Sequence, residues 1–419
     1  MSRMIPLLVA TALLFLIDLY AFQAIRSVMH NSNISWRRII TIIYWSISII
    51  CIGFIWYATF FGYYSVPKLL RVYLTGALVV FYIPKLFLIV FLLIDDLIRG
   101  GKWLTTFFTT STKNAVTENS QKGISRSQFL TQTGLVVSGF FLFQFVYGIV
   151  RTAYNYQLRR VKIAVRNLPA EFEGLKIVQV SDIHSGSFTR KDPLVAAVKM
   201  INEENPDLIF FTGDLVNNES TEALEYIDVF GKMKAKHGVY SIFGNHDYGD
   251  YMSWDSPKAK ADNLKLLEDI HARMGWKLLR NQNVLLGNEE NQLAIIGVEN
   301  WSNTGRFQTY GDLKKALEGT ENAKTKLLLS HDPSHWNGEV TKSYNDIDVT
   351  FSGHTHGFQF GVEIPGFKWS PAKFIYKQWA GLYQQAHQSL YINRGLGFLA
   401  YNGRVGIPPE ITVIQLVKS

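Results

Sequence analysis

Cysteine is nearly absent from this sequence. Cys51, inside an apolar stretch, is the only one among 419 residues. A disulfide within the chain is therefore impossible, and a zinc site built on several thiolates is excluded. Any metal site in this chain must rely on imidazole, carboxylate or amide groups.

A uniform excess of positive charge is also missing. The formal net charge is +8, but residues 1–160 contribute +11 (15 Lys+Arg, 4 Asp+Glu) and residues 161–419 contribute −3 (27 against 30). Long polyanions bind mainly through Lys and Arg, so the second part is a poor candidate for nucleic-acid binding. The basic character of the first part is more typical of membrane topology.

Charged side chains are missing from two long apolar runs, about 39–64 and 129–150, and are rare in two others, about 4–22 and 73–94. Each run approaches or exceeds the roughly 20 residues that cross a hydrocarbon core. The sequence therefore predicts an integral membrane protein whose residues 1–150 form a domain with about four transmembrane helices. A linker over 151–162 and a globular domain over 163–419 are expected to follow.

Two charged residues, Asp18 and Lys85, fall inside predicted spans. Charges at membrane depth are costly and can be functional. The favoured interpretation is structural: Asp18 lies near an end of its run, and Lys85 can pair or extend its ammonium group to the interface.

The basic residues between the runs predict the orientation. The positive-inside rule places the first and third loops in the cytoplasm and both termini outside, so the globular domain is expected on the extracytoplasmic side of a bacterial cell membrane. A basic cluster just after the fourth run, which would lie outside, counts against this orientation. The first loop carries Arg26, Arg37 and Arg38, the third carries Arg99, Lys102, Lys113, Lys122 and Arg126, and the short second loop has Lys68 and Arg71.

After residue 162, short apolar runs alternate with amphipathic segments. This pattern is typical of an α/β layered sandwich. Five of the runs, "KIVQV", "DLIFF", "VYSIF", "KLLLS" and "DVTFS", are followed by groups that can bind metals, and open α/β folds place their sites at such strand ends. These residues are Asp182 and His184, Asp214, Asn245 with His246 and Asp247, His331, and His354 with His356.

The spacing suggests how these groups combine. Side chains two apart on a strand point to the same side, so Asp182 and His184 are expected to reach one metal together, and so are His354 and His356 if their loop is extended. Imidazole and carboxylate suit zinc, manganese, iron and similar ions. The sequence therefore predicts a metal centre.

The ordered set D-x-H, GD, GNHD, a single His and GHTHG closely resembles the calcineurin-like metallophosphoesterases, from about Leu175 to the end of the chain. The resemblance implies a four-layer β-sandwich flanked by helices, which hydrolyses phosphoesters with two divalent ions (Mn, Zn, Fe or similar). It assigns Asp182, His184 and His356 to one ion, Asn245, His331 and His354 to the other, and Asp214 to both.

The same resemblance implies that His246 contacts the phosphate and assists the leaving group. We expect Asp247, its neighbour, to orient the His246 ring, as carboxylates often do. Arg394 in "NRGLG" and Arg404 are candidates for contacting phosphate, although structural pairing is an equal alternative for each.

The motifs also resemble a membrane-associated branch that contains UDP-diacylglucosamine hydrolases. This implies a phosphoester or pyrophosphate substrate in a lipid or the cell envelope, with the bilayer as partner. The aromatic segment 367–383 fits an interface-seeking surface, or equally a hairpin or lid packed on the core. Two alternatives remain: a nucleotide or other small-molecule phosphodiesterase, and a non-catalytic membrane sensor or scaffold.

Overall fold

The computed structural model describes residues 4–108 and 124–419. The chain divides into two compact units, Met1–Tyr147 and Gly148–Ser419. Lys113 and Lys122, which entered the orientation prediction, lie outside the described residues.

Long apolar helices dominate the first unit. Within residues 4–108 and 124–154, four helices are long and apolar enough to cross a membrane. Each extends beyond the apolar run that predicted it, because polar residues at a run's ends continue the same helix. The helices are α1 Met4–Val28, α2 Ile34–Phe61, α3 Lys68–Phe108 and α4 Arg126–Val150.

Asp18 and Lys85 form an ion pair with each other between α1 and α3. Asp18 is fully buried and lies well inside α1, not near the end of a span as the sequence suggested. Tyr82 donates to its carboxylate at 2.9 Å, and Tyr44 of α2 donates to its backbone oxygen at 2.8 Å. The pairing expected for Lys85 is thus present, with Asp18 as partner.

Two six-stranded sheets form the frame of the second unit. The first has the order β1-β14-β2-β3-β4-β5, and β2 to β5 are parallel. Its strands are β1 Gln157–Val165, β2 Lys176–Val180, β3 Leu208–Phe211, β4 Val239–Ser241, β5 Trp276–Leu278 and β14 Glu410–Lys418. β1 begins inside the segment 151–162 that the sequence predicted as a linker.

The second sheet has the order β12-β13-β9-β8-β7-β6, with β13, β9, β8 and β7 parallel. Its strands are β6 Gln282–Leu286, β7 Leu293–Gly297, β8 Thr325–Leu329, β9 Val349–Ser352, β12 Gly381–Gln385 and β13 Gln388–Ile392. A separate hairpin consists of β10 Val362–Ile364 and β11 Phe367–Trp369.

Helices cover the outer face of each sheet. Because side chains alternate along a strand, Ile177 of β2 packs between the sheets while Val178 packs on the opposite face. The predicted four-layer α/β sandwich is confirmed. The helices are α5 Asp192–Glu203, α6 Ile227–Phe230 and α7 Pro257–Arg273 beside the first sheet, and α8 Leu313–Ala316 and α9 Thr341–Ser343 beside the second.

Candidate metal centre

The predicted ligands follow the carboxyl ends of five parallel strands. Three of these strands, β2, β3 and β4, belong to the first sheet, and two, β8 and β9, belong to the second. The site therefore draws on strand ends of both sheets.

The backbone at these strand ends is left-handed. Asp182, His184, Asp214, His354 and His356 all have φ between +49° and +71°. Non-glycine residues rarely adopt this conformation, which costs on the order of 1–3 kcal/mol each and is concentrated at functional sites. The chain is therefore not extended at these positions, contrary to the assumption behind the spacing prediction. Asp182 and His184 still reach one cluster together, as expected, but His354 and His356 do not.

One cluster contains Asp182, His184 and His356, whose ligand atoms lie within 4.8 Å of one another. His184 Nε2 is 3.0 Å from His356 Nε2, and His356 Nε2 is 3.2 Å from Asp182 Oδ1. All three side chains are buried, so their donor atoms converge on a point away from bulk water.

A second cluster contains Asp214, His331 and His354. His354 therefore joins a different cluster from His356, although only Thr355 separates them. Asp214 Oδ2 lies 3.1 Å from His331 Nε2 and 3.6 Å from His184 Nε2. Asp214 thus lies between the two clusters, where one carboxylate could serve two ions.

Asn245 adds an amide to this arrangement. Its Nδ2 donates to the Tyr251 hydroxyl at 2.8 Å, which fixes the orientation of the amide. Its Oδ1 is buried and has no hydrogen-bond partner among the residues the structure describes. A buried amide oxygen without a partner costs on the order of 1–3 kcal/mol. A cation would satisfy it, so the donor set fits a metal.

Burial and mutual charge shift the pKa values of the titratable groups in both clusters. Burial raises the pKa of Asp214, but the adjacent His331 and His246 outweigh burial and hold that pKa well below its usual range. Burial lowers the pKa of His331, yet Asp214 and Asp182 raise it to about 10. Burial holds the pKa of His184 well below its usual range, which keeps its ring neutral and able to bind a metal.

Contacts with neighbouring polar groups fix the rings of His331 and His354. His331 Nδ1 is 2.7 Å from the Thr212 carbonyl, so its Nε2 faces Asp214. His354 Nε2 is 2.7 Å from the Tyr376 hydroxyl, and its Nδ1 is 3.2 Å from His331 Nε2. Such outer contacts fix the orientation of a metal-binding ring.

Glycine is required where the ligand loops pass each other. A methyl group on Gly353 would overlap the Asp182 carboxylate and the Ser181 hydroxyl, and one on Gly244 would overlap Asp214 Oδ1. The glycine of GNHD and the first glycine of GHTHG therefore leave room for the carboxylates.

His246 lies beside the first cluster and is partly exposed. Its ring centroid is 5.0 Å from that of His184, and its Nδ1 is 2.7 Å from the Asn217 carbonyl oxygen. The contact with Asn217 fixes the ring and leaves Nε2 as the nitrogen available to a bound molecule.

Asp247 does not orient the His246 ring, and the expectation that it does is wrong. Its fully buried carboxylate accepts hydrogen bonds at 2.8 Å from the backbone N–H groups of Asp214, Leu215 and Gly244. Burial and the Asp214 charge raise its pKa to about 7. Asp247 thus ties the loop after β3 to the loop after β4.

Arg394 and Arg404 are both buried among protein groups. Arg394 binds Glu410 at 2.5 Å and Glu363 at 2.8 Å. Arg404 donates to the carbonyls of Arg394, Gly395 and Gly397, and its Nη2 is 3.4 Å from His356 Nδ1. These contacts match the structural alternative, in which both residues support the loop behind the first cluster.

The sequence reasoning missed three residues at the site. Tyr376 binds His354, Tyr251 binds Asn245, and Asp332 Oδ2 lies 3.7 Å from His354 Nε2. Asp332 directly follows His331, so its place in the sequence could have indicated that it lies near the site. The two tyrosines lie in loops, where no periodicity marks them.

Two family models match the chain. Residues 2–153 match "Probable Calcineurin-like phosphoesterase, transmembrane domain", and residues 175–358 match the calcineurin-like phosphoesterase family. Residues 175–358 therefore form a calcineurin-like phosphoesterase domain, as the motifs predicted, and they follow a region that matches the transmembrane domain of such proteins.

Three relatives illustrate the range of similar proteins. A transmembrane protein with metallophosphoesterase domain from Danio rerio is 30% identical over 283 residues, 65% of this chain and 60% of the relative. Metallophosphoesterase YkuE of Bacillus subtilis is 28% identical, over 70% of this chain and 98% of YkuE. UDP-2,3-diacylglucosamine pyrophosphatase LpxG of Chlamydia muridarum is 28% identical, over 59% of this chain and 84% of LpxG.

The similarity extends over only part of some relatives. The chain spans about 60% of the length of the vertebrate proteins that it matches.

Proposed function

We propose that this protein is a membrane-anchored phosphoesterase that uses two divalent ions to hydrolyse a phosphoester or pyrophosphate bond. The observation that carries the proposal is the pair of buried His/Asp clusters on either side of Asp214. In this proposal Asp182, His184 and His356 hold one ion, and His331, His354 and Asn245 hold the other.

Bound at these clusters, two divalent ions would neutralise phosphate oxygens and lower the pKa of a coordinated water. The protein groups supply the geometry. Asp214 is kept ionised between the clusters, and His184 is kept neutral by burial. The left-handed backbone at five of the seven ligands holds the side chains in place before substrate binds.

His246 is the proposed catalytic residue that handles the leaving group. The Asn217 carbonyl holds its Nδ1, which leaves Nε2 free to donate to an oxygen of the substrate. Such proton donation contributes about 10²–10⁴-fold to a rate. In this proposal Asp247, Arg394 and Arg404 act only through the loops that they stabilise.

We propose that the substrate is an amphiphile in the lipid phase or cell envelope, and that the phosphoesterase domain lies on the extracytoplasmic side. A domain that follows the last span closely is held at high effective concentration near lipid headgroups. The likeness to LpxG, whose name gives a diacylated sugar nucleotide as substrate, is consistent with this class.

A polar cavity of about 200 Å³ is connected to the second cluster through Tyr376. Tyr376, which contacts His354, lines it together with amide and hydroxyl side chains and Lys377. This lining supports a substrate with a hydrogen-bonding group, such as a sugar, next to its phosphate. The other lining residues are Asn303, Thr304, Pro333, Ser334, Asn337, Ile375 and Gln378.

Substitution of Asp214 by Asn tests the proposal in the full-length protein. We expect the loss of about 10²-fold or more of kcat/KM on bis-p-nitrophenyl phosphate, because the carboxylate shared by both ions is gone. Elemental analysis should find about two divalent ions per wild-type chain and fewer in the variant.

His246→Ala should lower kcat by about 10²-fold or more while the metal content stays at the wild-type level. His237→Ala, which removes an exposed histidine, is the matched control. Wild-type activity in both the Asp214 and the His246 variants would overturn the proposed site.

A further inference from the structure

Exposed apolar side chains of the phosphoesterase domain are concentrated in one short segment. Between residues 157 and 419, all of which the structure describes, ten large apolar or aromatic side chains are exposed. Six of the ten lie within 18 consecutive residues: Phe358, Val362, Ile364, Phe367, Phe374 and Ile375. Phe374 is 75% exposed, the highest value among them.

We call residues 358–377 the apolar platform. It contains the β10–β11 hairpin and a short helical turn, Pro371–Phe374. Its inner side is firmly packed, because Ala372 and Tyr376 join Trp379, Ala380 and Ile407 in a buried cluster. Ser370 also donates to the Gly357 carbonyl at 2.7 Å. The outward apolar side chains are therefore held on a fixed base.

The charge of the platform is positive, unlike that of the domain around it. Lys368, Lys373 and Lys377 are exposed, and the one acidic residue, Glu363, is paired with Arg159 and Arg394. Residues 161–419 as a whole carry −3. Lysines beside exposed phenylalanine and isoleucine favour binding to a phase with an apolar interior and an anionic boundary. A bilayer that contains anionic phospholipids is such a phase.

The platform is continuous with the metal centre. Phe358 is two residues after His356, and the Tyr376 hydroxyl contacts His354 at 2.7 Å. The exposed apolar side chains therefore belong to the same segment as residues that contact or directly follow the proposed ligands.

We propose that the apolar platform enters the headgroup region of the bilayer that the chain's own helices span, with Lys373 and Lys377 on anionic headgroups. The domain would then be held with the metal centre at the lipid surface. Four helices long enough to cross a membrane, and the few residues between α4 and β1, make that bilayer the nearest apolar phase. This goes beyond the proposed function, since it concerns how the domain meets the membrane.

The single cysteine makes a direct test feasible. Cys51 is 1% exposed, so the wild-type chain should take up little thiol reagent and provide the blank. Phe374→Cys and Phe367→Cys are each labelled with the fluorophore NBD in the full-length protein. Val195→Cys on α5, 47% exposed but far along the sequence from the platform, is the control. The proteins are reconstituted in phosphatidylcholine–phosphatidylglycerol vesicles with and without nitroxide lipid.

We expect nitroxide lipid to quench the labels at 374 and 367 at least about two-fold more than the label at 195. Lys373→Glu with Lys377→Glu should reduce this quenching in vesicles that contain phosphatidylglycerol. Equal quenching at the platform and at 195 would overturn the proposal. A blue shift of the NBD emission at position 374 that depends on protein concentration, without quenching by nitroxide lipid, would also overturn the proposal, because it indicates a protein partner. The readout does not use activity, so its failure leaves the proposed hydrolysis untouched.

Discussion

Both units of this protein bury ionisable side chains, but they do so in different ways. In the membrane unit, Asp18 and Lys85 neutralise each other, and Tyr82 and Tyr44 bind the aspartate as well. In the phosphoesterase unit, imidazole nitrogens face each other at 3.0 and 3.2 Å, and Asn245 Oδ1 has no partner among the described residues. A buried polar cluster whose groups satisfy one another needs no ligand, whereas one that leaves the Asn245 oxygen unsatisfied and brings imidazole nitrogens together has room for a cation.

The largest effect is expected when the buried Asp18–Lys85 ion pair is broken. Asp18→Asn leaves the Lys85 charge without its counter-ion, and breaking a buried pair costs about 3–5 kcal/mol. We expect the free energy of unfolding in detergent titration to fall by about that amount. The double variant Asp18→Asn with Lys85→Met should recover most of the loss. If the double variant remained as unstable as the single one, the pair would have a role beyond mutual neutralisation.

A smaller effect is expected when a residue that supports a proposed metal ligand, but is not itself a ligand, is substituted. Tyr376→Phe removes the hydroxyl that binds His354 Nε2, and loss of such an outer contact typically lowers metal affinity about 10–100-fold. We expect Mn²⁺ or Zn²⁺ to raise the melting temperature of both proteins. The variant should need about 10–100-fold more metal than the wild type for the same increase. Tyr383→Phe, which alters a neighbouring tyrosine that contacts the Trp379 backbone, is the matched control. Equal metal dependence in all three proteins would contradict the role of Tyr376.

The smallest effect is expected at His271, a buried histidine of the hydrophobic core that is not part of the metal centre. Burial lowers the pKa of His271 to about 3. Since its unfolded value is near 6.5, the unfolded state takes up a proton first as the pH falls. Stability due to neutral His271 is complete above pH 6.5 and is lost progressively towards pH 3. His271→Gln removes this titration.

Between pH 7.5 and 5.5 we expect the wild type to lose about 1.4 kcal/mol more than the His271→Gln variant. Denaturant unfolding at both pH values measures the difference. Identical pH dependence in the two proteins would show that His271 does not titrate on unfolding.

Much of this organisation could be predicted from the sequence because the relevant signals are local. Long apolar runs with few or no charged residues predicted the membrane helices, and short runs between amphipathic segments predicted the layered sandwich. The residue types after β2, β3, β4, β8 and β9 predicted the chemistry of the candidate site.

Other features could not be predicted, because they depend on contacts between distant parts of the chain. Asp247 follows His246, yet its carboxylate binds the loop after β3. Arg394 and Arg404 face carboxylates and carbonyls instead of open space. The aromatic segment was expected either to seek a lipid interface or to pack on the core; Tyr376 and Trp379 are buried, whereas Phe367 and Phe374 are exposed.

The sequence alone determined which elements form and which ligand types stand at their ends, because periodicity and residue chemistry act over a few neighbouring positions. Strand spacing did not determine how these groups are shared; the family resemblance implied a division between two ions, and the tertiary structure has two clusters with His354 and His356 in different ones. Only the tertiary structure paired Asp18 with Lys85. The physical reason is that left-handed turns and the approach of two sheets set the distances at the candidate metal centre, and the packing of α1 against α3 sets the Asp18–Lys85 contact. None of these is encoded in the spacing of residues along one strand or helix.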